Sequence, residues 1–224
     1  MSKLKLSKQG RKLIKLYERM ATSDGYNRQD GSHVENAYND FELKKFRNMC
    51  KNYISSPIIK TVLDYGGGGS DWDAPNFEPT NGDSAKQFFD VQEVTTFEPA
   101  RNQMEKQESD CVVCMDVLEH IFITDIPNLV DELFSLTKNL LVINVACYKA
   151  KALLPNGENA HITVRGPDWW KGVIDSKAIN YPEIKVLLIC SQTWQNGVFF
   201  KPFKSKDWHS SDKYCIDDEM MTFQ

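Results

Sequence analysis

The run Val62-Leu63-Asp64-Tyr65-Gly66-Gly67-Gly68-Gly69-Ser70 constrains this chain more than any other. An apolar stretch at 58–63 ends in an acid and breaks at once into four glycines. Its reading is a strand followed by a tight turn. Glycines at such a turn let the backbone approach a ligand that a Cβ would exclude. Further apolar runs follow at 94–98, 110–115, 140–146, 184–190 and 198–203.

Helical spacing separates several of these runs. Ile126, Leu129, Val130, Leu133 and Phe134 make one stripe over 125–137, with Thr124 as N-cap and Pro127 in the first turn. Another helix is predicted after Gly166-Pro167-Asp168. Strands that are apolar throughout and alternate with helices imply an α/β, doubly wound, mostly parallel sheet covered on both faces. The Asn196-Gly197 turn predicts a closing antiparallel hairpin.

With 224 residues the chain is the size of one domain, read as 1–204. Within it, 1–57 is a helical cap with helices at 8–22 and 36–54, and 58–204 is the core. Residues 205–224 are a polar tail. The cap's first helix carries Leu13, Leu16, Tyr17 and Met20 at helical spacing. Residues 71–90 read as an inserted polar loop. That loop and 21–36 are candidate lids.

Lys and Arg number 27 against 31 Asp and Glu, a net charge of −4. That balance disfavours non-specific nucleic-acid binding. No apolar run has the length of a membrane span. Lys15 and Arg19 interrupt any signal-peptide core, so a cytoplasmic protein is expected. Cys111-Val-Val-Cys114 has metal-site spacing, but on a strand the two thiols face opposite ways. The cysteines are read as reduced and buried, and no metal is expected. Oligomeric state is not legible.

Three stretches carry candidate chemistry. Gly66 and Gly68 fit the start of a dinucleotide fingerprint, but its third glycine is replaced by Asp71, an acid poorly placed beside a pyrophosphate. Asp64 before the turn suits a ligand with a cationic amino group. Glu98-Pro99 ends the next strand 34 residues later, where a carboxylate can accept both hydroxyls of a ribose. Asp110-Cys-Val-Val-Cys-Met-Asp116-Val117-Leu-Glu119-His120 delivers polar side chains to the same edge. His120 and Glu119 have acid–base chemistry there, with capping the plainer role for Glu119.

Taken in order, LDYGGGGS, FEP and DCVVCMDVLEH resemble the first, ribose-binding and fourth-strand motifs of class I S-adenosylmethionine-dependent methyltransferases. The resemblance spans about 58–203. It implies a Rossmann-like fold, S-adenosylmethionine as cofactor and S-adenosylhomocysteine as product. By it, Asp64, Tyr65, Gly66, Gly67 and Gly68 line the methionine end, Glu98 and Pro99 the ribose, and Asp116 and Val117 the sulfonium. Only 18 residues separate Glu98 from Asp116, so the family's third strand is reduced and adenine recognition shifts to neighbours such as Pro99 and Ala100.

After the strand at 140–146 comes a long polar segment, with Tyr148, LPNGENAH at 153–161, Arg165, Trp169 and Trp170. LPNGENAH with the tryptophan pair resembles a subgroup of short bacterial and phage methyltransferase-like proteins. His161 or His120 suits a general base, with Asp116 beside them. Tyr148, Asn159, Arg165, Trp169 and Trp170 are candidate substrate contacts, Arg165 by a bidentate grip and the tryptophans by stacking. The acceptor expected is a small molecule, sugar or glycan. Nucleic-acid or protein methylation and a non-catalytic binding subunit are the alternatives.

Overall fold

A computed structural model describes residues 6–22, 25–35, 41–208 and, for the backbone alone, 218–222. The chain order is α1 (Lys8–Thr22), β1 (Tyr26–Asn27), β2 (His33–Val34), α2 (Leu43–Ile54), β3 (Thr61–Tyr65), α3 (Ala85–Phe89) and β4 (Glu93–Phe97). It continues with β5 (Ser109–Met115), α4 (Ile126–Ser135), β6 (Thr137–Ala146), α5 (Pro167–Ala178), β7 (Lys185–Ser191), β8 (Asn196–Phe203) and β9 (Asp218–Thr222).

Seven strands form the main sheet in the order β4-β3-β5-β6-β7-β8-β9. Strands β4 through β7 of that order run parallel, and β8 and β9 are antiparallel additions. The expected hairpin is therefore present as β7 and β8. The segment expected to be only a polar tail contributes β9 as an edge strand. Between Phe97 and Ser109 there is a short 3-10 turn, Pro99–Arg101, and no strand, as the short spacing implied. The chain passes outward from β3 to β4, then crosses back to β5 on the other side. Such a reversal opens a crevice at the carboxyl ends of the strands, where ligands bind in open α/β sheets.

Alternating residues face opposite layers. Leu63, Tyr65, Val112, Cys114, Leu141 and Ile143 pack under α4 and α5. Val62, Cys111, Val113, Leu140 and Val142 pack under α2 and α3. Cys111 and Cys114 thus lie in separate layers and cannot share a metal ion.

Three local expectations change. Helix α2 is not part of a cap: its stripe of Leu43, Phe46, Cys50 and Ile54 is buried against the sheet. Residues 36–40, read as its first turns, lie outside the described residues. The segment 71–90 is not a loose lid, because Trp72, Phe77, Phe88 and Phe89 anchor it in the core, and Ser84 and Gln87 form a capping box at α3. Asp125, not Thr124, occupies the N-cap position of α4, with Pro127 in the first turn as expected.

Among the described residues, α1 and the β1–β2 hairpin behave as a cap, the hairpin bridging Arg28 to Ala152. Leu13 and Met20 of α1 pack with Leu154, Ala150 and Ala160 from the segment after β6. The start of α1 is clamped to α4, since Asp125 accepts the Ser7 amide and the Ser7 hydroxyl, both at 2.8 Å. Gly10 makes this approach possible, because a Cβ there would lie 2.2 Å from Asp125 Oδ2. No described helix is long and apolar enough to cross a membrane.

Alanine normally stabilises a helix by about 1 kcal/mol over glycine. At Gly10 the opposite sign is expected: Gly10→Ala should lower the thermal midpoint and expose α1 to limited proteolysis. A raised midpoint would mean that the clamp is not formed in solution.

Candidate functional site

The crevice holds a cavity of about 470 Å³. Its floor is the carboxyl edge of β3, β4 and β5: Tyr65, Gly66, Gly68, Glu98, Asp116 and Val117. Its roof is α1 with the segment after β6, contributing Tyr17, Met20, Tyr148, Ala160 and His161. The volume lies in the range usual for small-molecule sites.

Glu98 fixes the floor. Its Oε2 accepts the Gly68 amide and its Oε1 the Ala100 amide, each at 2.9 Å. A carboxylate has about four lone-pair sites, so acceptor capacity remains toward the cavity. Pro99 follows in the 3-10 turn and lines the wall beside Ala100.

Part of the glycine requirement is internal. Gly66 has φ +76°, and a Cβ there would sit 2.5 Å from Val117. At Gly67 it would sit 2.6 Å from Asp64 Oδ2. Gly67 faces a second, small pocket with Asp64, Phe41 and Glu42, while Gly66 and Gly68 face both.

Asp64 does not reach the main cavity. It is buried, and its Oδ2 accepts the Trp72 indole N–H at 2.8 Å and the Ser70 hydroxyl. Burial pushes its pKa up despite those bonds. The carboxylate expected to meet a cationic ligand is instead a fixed strut of the turn.

Asp116 ends β5 in the left-handed region, φ 58°. Non-glycine residues there are uncommon outside Asp and Asn, and such backbone clusters at functional sites. Its Oδ2 stands 3.7 Å from His120 Nε2. Burial opposes its ionisation, but its bond to His120 and the two nearby imidazole rings outweigh that and hold it well below the usual carboxylate range. Glu119 is fully buried, and its Oε1 accepts the Ala146 amide. Burial and the Asp116 charge push Glu119 far up, so it is the neutral acid of the pair. It does not line the cavity, and it braces the end of β6 at Ala146 rather than capping a helix.

His120 Nδ1 lies 2.9 Å from the Ala160 carbonyl and 2.9 Å from the Tyr17 hydroxyl. That hydroxyl itself donates to the same carbonyl. His161 Nδ1 meets the Tyr148 carbonyl. A carbonyl only accepts, so both imidazoles carry a proton on Nδ1 and turn Nε2 away from it. Burial and the His120 charge lower the His161 pKa to about 4. It is neutral at pH 7 and a weak base.

The remaining expected substrate contacts separate. Tyr148 lines the cavity. Asn159 is a clamp: it accepts from Ala150 N and His161 N and donates to the Ala150 carbonyl, which holds the loop base. Asn156-Gly157 is an exposed turn. Trp170 is fully buried in the core under α5. Trp169 packs edge-on against it, and the exposed Arg165 lies over Trp169. Arg165, Trp169 and Trp170 are not among the residues that form the cavity wall. Tyr17 was missed as a site residue, because its helical stripe reads only as packing. The chain matches no family model, no curated protein and no solved structure in the three comparisons made.

Trp72→Phe removes one donor from a buried carboxylate, and a cost of about 1–3 kcal/mol is expected in urea unfolding. No loss would mean that Asp64 is not held as described. His161 generates a pH prediction. Its folded pKa, about 4, is below the unfolded value of 6.5, so stability is lost as pH falls through that window. The loss is on the order of 3 kcal/mol. In chelator-containing buffer, His161→Gln should flatten the slope of stability between pH 6.5 and 4, and an unchanged slope would assign it to other groups.

Proposed function

We propose that this protein has a Rossmann-like fold, binds S-adenosylmethionine in the roofed crevice and transfers its methyl group to a small polar acceptor. One observation carries the reading. The three stretches that resemble methyltransferase motifs are far apart in sequence, and Gly66, Gly68, Glu98, Asp116 and Val117 converge on one cavity at the sheet's reversal point. A structural turn alone would not require the other two stretches to meet it.

The residues fit the cofactor unevenly. Glu98 suits the ribose diol by its remaining lone pairs. Pro99, Ala100, Val117, Ile121 and Leu129 supply the apolar wall that a purine face needs. Asp116 replaces Asp64 as the carboxylate facing a cationic centre, being the one held ionised in the cavity. The cofactor would supply an electrophilic methyl carbon on a sulfonium. The acceptor's lone pair forms the new bond, and the old C–S pair stays on sulfur as a neutral thioether. The acceptor proton goes to His120, whose imidazolium Asp116 stabilises at 3.7 Å.

The roof supports a small acceptor. Tyr17 ties α1 to Ala160 and His120 across the chamber. Helix α1 covers part of the crevice, which favours a small acceptor, such as a single sugar or the end of a glycan, over a nucleic-acid or protein chain.

Calorimetric titration with S-adenosylhomocysteine should give micromolar binding. Glu98→Ala should weaken it at least tenfold while its thermal midpoint shows the variant folded. Absence of binding by the unaltered chain would overturn the cofactor assignment.

A further inference from the structure

We infer that Asp116, His120 and His161 form a mononuclear site for a divalent transition metal in the wall of the cavity. One ligand atom from each of the three lies within 4.8 Å of the others. His120 Nε2 and Asp116 Oδ2 are 3.7 Å apart. In a zinc site with bonds near 2.0–2.1 Å, neighbouring ligand atoms are about 3.3 Å apart. Small side-chain rotations close the remaining gap.

The orientation of the rings is the second observation. Each histidine gives its Nδ1–H to a backbone carbonyl, His120 to Ala160 and His161 to Tyr148. That arrangement fixes the tautomer and leaves each Nε2 with its lone pair, which on His120 faces Asp116 Oδ2. Metal-binding histidines are held in this way by their outer partners. The rings stand at 86° with centroids 4.9 Å apart, so they do not stack and can converge on one ion. A divalent ion between the three side chains would take one ligand atom from each.

Imidazole nitrogen favours Zn2+, Fe2+, Co2+ or Ni2+ over Mg2+ and Ca2+. Three protein ligands leave at least one position open, and here it faces the cavity. An oxygen of a ligand held there would take it, and the ion would lower that oxygen's pKa. The cysteine spacing predicts no metal site. This triad joins a strand end to a loop 41 residues beyond His120, a spacing no local pattern signals. The metal site does not rest on the methyltransferase reading; with an ion on Asp116 and His120 Nε2, the ion and not His120 would activate the acceptor oxygen.

The full chain, stripped with a chelator and dialysed, is titrated with Zn2+ by calorimetry and with Co2+ by visible absorption. One ion per chain is expected, with d–d bands of a nitrogen–oxygen site, no thiolate charge-transfer band and a raised thermal midpoint. His161→Ala and Asp116→Asn should each weaken binding at least tenfold and abolish the midpoint shift. Asparagine tolerates the left-handed backbone at 116 as aspartate does, so this variant keeps the fold if His161→Ala does not. His33→Ala should bind as the unaltered chain does. Substoichiometric binding, a thiolate band, or unchanged affinity in both site variants overturns the proposal. S-adenosylhomocysteine titrated in chelator tests the cofactor reading separately, so either can fail alone.

Discussion

The Glu98 carboxylate joins two turns that the chain builds independently. One oxygen holds the Gly68 amide and the other the Ala100 amide, so the exits of β3 and β4 are locked to each other. Charge-assisted bonds of this kind are roughly twice as strong as neutral ones. The rest of the cavity follows from that lock. Gly66 is set against Val117 at the exit of β5, and the 3-10 turn Pro99–Arg101 turns its backbone along the wall. Without the lock, two glycine-rich and proline-containing turns would have no common geometry, and the crevice at the sheet's reversal would have no fixed shape.

A second constraint is the sorting of buried acids. Asp64, Asp116 and Glu119 all lie near the same strand ends, and the interior cannot hold three uncompensated charges. Burial pushes Asp64 and Glu119 toward the neutral form, while the histidines hold Asp116 ionised. Groups driven apart in this way mark the site of proton or cation chemistry. The negative charge is therefore favoured where two imidazoles face the cavity, and burial disfavours it on the struts behind.

Much of this was legible from periodicity. The strand positions, the α4 stripe, the closing hairpin and the strand-free stretch between Phe97 and Ser109 follow from residue patterns that span only one element. Cys111 and Cys114 separate for the same reason. What the sequence hid depends on which elements meet. Trp72, Phe77, Phe88 and Phe89 look like scattered aromatics in a polar stretch, yet together they bury 71–90 against α2. Arg165 and Trp169 look like binding residues, yet neither forms the cavity wall, and Trp169 packs on Trp170 instead. Asp64 has the position of a ligand contact, but a tryptophan eight residues on claims it. Tyr17 shows the converse: a residue on a packing stripe becomes part of the site because the roof lands on His120.

The roof is also the least secured part of the chamber. Five buried residues form the cluster beneath α1, against the two large clusters that line the sheet. Segments with little apolar surface to lose open first. The polar ties of α1 are few and sit at its ends of the chamber, Ser7 on Asp125 and Tyr17 on Ala160. Lifting α1 breaks the Tyr17 contact with His120, so the imidazole that faces Asp116 loses one of its two Nδ1 partners as the cavity opens. Closure and orientation of His120 are thereby the same event, and a ligand that favours the closed roof also sets the histidine beside it.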